Sequence, residues 1–143
     1  MKVLIDTNVV LDAIANRIPY KTSSQEIINL ILDNKLEGYI TANCTTDIYY
    51  IARKHLNQID LQNTMRSLFS VFRIIDVLET DCHTALDSSL SDYEDALMVV
   101  CGTNVSIDYL ISRDEELLQS KAVLPVISPI DFLNKFKEEG ILQ

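Results

Sequence analysis

Short apolar runs alternate with longer stretches in which apolar residues recur every three or four positions, from end to end of the 143-residue chain. The short runs read as buried strands and the longer ones as amphipathic helices, the alternation that builds a parallel sheet with crossover helices. Strands are predicted near Val3–Asp6, Tyr39–Thr41, Arg73–Val77, Tyr109–Ser112 and Val126–Ser128. Ser23 and Glu26 have the spacing of a capping box opening a helix over Glu26–Asn34, with Ile27, Ile28, Leu30 and Ile31 as its apolar face and Gly38 closing the unit. Asp60 stands as cap at the head of a stripe formed by Leu61, Met65, Leu68, Phe69 and Phe72. Thr80 and Asp92 begin two further helical patterns, and Ser128, Pro129 and Asp131 open a last helix that ends near Glu139 and Gly140.

That order of elements is an α/β fold, a three-layer α/β/α sandwich around a central parallel sheet of about five strands. With three Gly, three Pro, no repeat and no linker-like change in composition, residues 1–143 read as a single domain. Cys44, Cys82 and Cys101 are odd in number, far apart and set among apolar residues, so they read as buried thiols of a reducing cytosol. No apolar stretch approaches the roughly 18 residues that a membrane span needs, and a soluble cytoplasmic protein without a membrane partner is expected. The net charge of −9 runs against a phosphate-binding surface, unless carboxylates gather around a cation. A metallated acidic cleft accepts a phosphodiester, so the charge leaves the partner open.

In a parallel sheet, ligands sit beyond the carboxyl ends of the strands, and the predicted topology brings four distant acids to that edge. Asp6 ends the first strand, Asp47 lies early in the helix after the second, Asp95 lies in the first turn of the helix leading to the fourth, and Asp114 follows the fourth. Each alone reads as an ordinary cap or first-turn acid. Together they repel one another unless a cation neutralises them, and magnesium or manganese prefers such oxygen ligands. His55 and His83 stand away from the strand ends, which gives zinc little support.

These residues make the chain similar to the PIN domain family, nucleases found among the toxins of bacterial toxin–antitoxin pairs and among RNA-processing enzymes. LIDTNVVLD resembles the family's opening motif, Asp47 falls at the second acid, Asp95 in DALMVV at the third, and Ser112-Arg113-Asp114 resembles the closing motif. One departure is that the second acid is more often Glu. The third motif is crowded by Asp92, Glu94 and Asp95, of which Asp95 is taken as the ligand and Asp92 as the cap that supports it.

The resemblance implies a metal-dependent endoribonuclease in which Asp6, Asp47, Asp95 and Asp114 bind Mg2+ or Mn2+ and activate water against an RNA phosphodiester. Thr7 and Ser112 are then candidates for contact with a phosphate oxygen or an acid, or else local turn caps, Asn8 for fixing the turn, and Arg17, Lys21 and Arg113 for phosphate contacts, while Arg53 and Lys54 read first as cations that complement the end of their helix and only second as phosphate contacts. One of Tyr49 and Tyr50 reads as core and the other as a base-stacking ring, while Asp12 reads as a solvated residue of the first helix. A small antitoxin and a homodimer are the protein partners the resemblance implies. The competing reading is a non-catalytic PIN-like domain that binds RNA or protein. A haloacid-dehalogenase-like phosphatase needs a second Asp where this chain has Asn8.

Overall fold

Val3, Leu4 and Ile5 are all fully buried in the computed structural model, which describes residues 1–141. Val3 and Ile5 enter one hydrophobic cluster and Leu4 the other, so this strand is covered on both faces by its period of two. In chain order the elements are β1 (Lys2–Ile5), α1 (Thr7–Ile14), α2 (Lys21–Leu32), β2 (Glu37–Thr41), α3 (Cys44–Ala52), α4 (Gln58–Val71) and β3 (Arg73–Ile75). They continue with α5 (Glu79–Leu86), α6 (Tyr93–Asn104), β4 (Tyr109–Ile111), α7 (Glu115–Gln119), β5 (Val126–Ile127) and α8 (Pro129–Glu138). The five strands form one parallel sheet in the order β3-β2-β1-β4-β5. Helices α1 to α4 and α8 cover one face and α5 to α7 the other, which is the expected three-layer sandwich.

Because β1 pairs with β2 on one side and β4 on the other, its carboxyl end lies where the chain crossings diverge and a crevice opens. The ladder reaches one residue past the strands there, with Asp6 N donating to the Ile111 carbonyl at 3.0 Å. Among the described residues no helix is long and apolar enough to cross a membrane.

Several local expectations shift by a few residues for identifiable reasons. Helix α2 begins at Lys21 rather than Glu26, and Ser23 sits within its first turn, donating to the Tyr20 carbonyl at 3.2 Å instead of capping. Asn57, not Asp60, caps α4: its Oδ1 accepts from Asp60 N at 2.9 Å while its Nδ2 donates to Asp60 Oδ2 at 2.7 Å. Phe69, placed on the apolar stripe of that helix, is 45% exposed, whereas Leu61, Met65, Leu68 and Phe72 are buried. Asp92 and Ser128 cap α6 and α8 as expected.

Gly38 does not close α2, since the left-handed position after that helix is taken by Asn34 at φ 57°. It lies inside β2, where an added Cβ would stand 2.6 Å from Ile31 Cδ1 and 3.0 Å from Phe72 Cδ1. The glycine lets α2 and α4 close down on the sheet. Gly38→Ala is expected to lower stability by about 1–3 kcal/mol through overpacking, read as a lower urea midpoint with an unchanged slope.

Candidate active site

Asp6 follows β1 directly and occupies the N-cap position of α1 with extended backbone angles, φ −66° and ψ 147°, yet its side chain makes no capping bond. Its Oδ2 instead accepts from Ser112 Oγ at 2.7 Å, across the junction of β1 and β4. Ser112 is fully buried and its oxygen also accepts from Asp114 N at 3.1 Å, so the hydroxyl is committed to the two acids of its own rim. Asp6 is 7% exposed. Burial raises its pKa above the ordinary 3.8 and the charge of Asp114 adds to the rise, while the Ser112 hydrogen bond works in the opposite direction.

The other acids arrive from helix starts. Asp114 caps α7, its Oδ1 accepting from Leu117 N at 2.9 Å. Asp92 caps α6 with its Oδ1 accepting from Asp95 N at 3.0 Å, which anchors the turn that carries Asp95. Asp95 is half-buried, and desolvation followed by the charges of Asp92, Asp6, Asp114 and Glu94 pushes its pKa to about 7. Asp47, early in α3, is half-buried on the β2 side.

Glu94, the middle acid of the crowded third motif, also faces the rim. It is exposed at its outer edge, but desolvation and then Asp47, with which it lies within hydrogen-bonding reach, raise its pKa to about 7, and Asp6 and Asp92 add to the effect. It therefore joins the α3 acid to the α6 acids. The signal was present as two adjacent acids in the first turn of one helix, since both positions border the space in front of a helix that points at the rim.

The remaining candidates divide. Arg113 is held by Asp12 while its charge still reaches Asp6: its Nε and a terminal nitrogen donate to Asp12 at 2.7 and 3.1 Å, and its guanidinium lies 4.3 Å from the centre of the Tyr20 ring. Asp12 is thus not solvated but fully buried, with Arg17 as a second cation at 3.8 Å. Thr7 Oγ1 is buried without a hydrogen-bond partner, and Asn8 is half-buried in the first turn of α1. Tyr49 is half-buried against the core and Tyr50 is 54% exposed. Burial raises the Cys44 thiol, which accepts from Thr41 Oγ1 at 2.9 Å, so it is no nucleophile.

The donors at this rim are carboxylate oxygens, the kind a hard divalent cation prefers, and their mutual repulsion is what such a cation relieves. In kind they fit magnesium or manganese, although among the described residues no three side chains are already drawn into a ligand shell.

A family model described as PIN domain matches residues 2–116. Ribonuclease VapC1 of Aquifex aeolicus (strain VF5) is 24% identical over 122 residues, which covers 80% of this chain and 82% of that protein. Among solved structures, FitAB bound to an IR36 DNA fragment superposes with a TM-score of 0.69 at 20% identity, covering 89% of this chain and 94% of that one. VapBC2 from Rickettsia felis, bound to a DNA fragment from their promoter, gives 0.65 at 14% identity over 90% of this chain and 98% of that one. At these identities the structural likeness establishes the fold.

Two measurements follow from the electrostatics. Arg113→Ala leaves Asp12 buried with only the longer Arg17 contact, and a loss on the order of 2–3 kcal/mol is expected in chemical denaturation. For the rim, Asp95 and Glu94 hold protons in the folded state up to about pH 7, while the unfolded chain releases them near 3.8 and 4.5. Between those limits the folded state binds more protons, so metal-free stability falls as pH rises. Thermal melts in chelator should show Asp95→Asn gaining on the unmodified chain from about pH 4.5 to about pH 7.5.

Proposed function

Because the chain belongs to the PIN domain family, we propose that it is a metal-dependent endoribonuclease, the toxin of a toxin–antitoxin pair. The observation that carries this reading is the convergence of Asp6, Asp47, Glu94, Asp95 and Asp114 on the carboxyl end of β1, with their charges opposing one another. One structural neighbour, from Klebsiella pneumoniae, is a toxin–antitoxin complex by name, and the relative from Aquifex aeolicus is named a ribonuclease. They support the same assignment.

Asp6, Asp95 and Asp114, with Asp47 and Glu94 on the α3 side, would hold Mg2+ or Mn2+. When bound, the cation supplies a Lewis acid that offsets the charge of a phosphodiester. The chain's own groups supply the rest. Ser112 holds the Asp6 carboxylate in place from behind, and Asp92 fixes the turn that presents Glu94 and Asp95. Glu94, at the solvent side of the rim, is placed to orient an attacking water and accept its proton. Thr7 holds a buried hydroxyl directly after Asp6, beside the Cys44 thiol. Arg113 acts as a strut between the closing motif and α1 through Asp12. The partners carried by this reading are RNA, a second copy of the chain, and a small antitoxin whose basic residues enter the acidic cleft.

Purified protein with manganese is expected to cut single-stranded RNA, and Asp6→Asn or Asp95→Asn to lower the rate by about a hundredfold or more. Manganese should also raise the melting temperature at neutral pH, and Asp6→Asn should abolish that rise. A protein that cuts no RNA and whose melting ignores divalent metal is the non-catalytic domain instead.

A further inference from the structure

Beside Asp47, helices α3 and α4 enclose an open groove of ≈ 410 Å³ whose walls include Tyr49, Tyr50, Met65, Arg66 and Phe69. We propose that this groove is a base-stacking subsite, which takes an unpaired nucleobase next to the scissile phosphate of RNA; it rests on the ribonuclease reading above.

The geometry links the groove to the acids through a single helix. Tyr50 is three residues beyond Asp47 on α3, hence about 4.5 Å further along the axis and roughly 60° around it. A nucleotide whose phosphate lies at the rim has its base within reach of that ring. Tyr50 is 54% exposed and Phe69, on the opposite wall, is 45% exposed, so two aromatic rings meet solvent in one concavity. Both were free to be buried by the apolar patterning of their helices, and neither is. The Arg53 guanidinium lies 4.8 Å from the centre of the Tyr50 ring, and Tyr49 meets that ring edge-on at 5.9 Å, which holds it as a supported platform.

Charge points the same way. The chain carries −9 overall, yet no carboxylate lines this groove, and among the described residues neither Arg53 nor Arg66 is ion-paired. Aromatic rings flanked by unpaired arginines next to a phosphodiester-cleaving rim match single-stranded RNA, whose bases stack on aromatic and guanidinium planes while its backbone seeks cations.

The chain contains no tryptophan, so Tyr50→Trp installs a lone reporter in the groove. Titration with a short single-stranded RNA of mixed sequence should quench its emission, and the same sequence annealed to its complement should not. In cleavage assays with manganese, Tyr50→Ala should raise KM about tenfold while kcat changes by less than about twofold, and Tyr50→Phe should restore KM. If the unmodified chain cuts RNA but Tyr50→Ala and Phe69→Ala leave KM unchanged, the subsite is refuted and the ribonuclease reading stands. If the emission of Tyr50→Trp responds to protein concentration and not to RNA, the groove is an interface between copies and the proposal is overturned. If the unmodified chain cuts no RNA, the ribonuclease reading fails first and the subsite with it.

Discussion

The burial of β1 on both faces is the constraint to which the rest of the molecule answers. Its three central side chains are inaccessible, it pairs with β2 and β4, and among the described residues no other strand connects the two halves of the sheet. A strand so placed must end where its neighbours diverge, and the residue that ends it enters a crevice. That residue is a carboxylic acid. Asp6 N completes the ladder to Ile111, α1 starts at Thr7, and the largely buried Asp6 side chain is met by Ser112 from the adjoining strand end. One backbone pairing therefore fixes both the strand junction and the first element of the acid site.

The fold treats its acids in two ways. Asp12 is fully buried and bound by two donors of Arg113, with Arg17 nearby. Asp81, 4% exposed, accepts from Leu78 N at 2.8 Å and Asn104 Nδ2 at 2.7 Å. Each of these acids is satisfied by the protein. At the rim, desolvation raises the pKa values of Asp6, Glu94 and Asp95, and neighbouring carboxylates add to each rise. An arrangement that is unfavourable in the isolated chain becomes favourable when a cation or a proton enters it.

The layer order, the parallel sheet and the four acids at its carboxyl edge were legible from the chain because strands and crossover helices impose different periods, and because topology alone brings strand ends together. Helix starts were less legible. Ser23 and Glu26 have the spacing of a cap but lie inside α2, since the buried side of that helix begins with Ser24, one turn before Ile27 and Ile28. Gly38 is a packing residue and not a stop, a distinction that depends on Ile31 and Phe72 on two other elements. Asp12 offered no sign of burial, because its partner Arg113 is 101 residues away. Glu94 could not be told from Asp92 and Asp95 by spacing, because what sets it apart is its approach to Asp47 on α3.

What the sequence determined by itself is which residues end strands and begin helices on one edge of a parallel sheet, for those assignments rest on local periodicity and on backbone chemistry. Tertiary structure alone decided how the charges are distributed among them. Only the packed fold brings Ser112 onto Asp6, Arg113 onto Asp12 and Glu94 onto Asp47. Desolvation and mutual repulsion, which set the protonation of the rim, depend on distances between segments that no local pattern encodes.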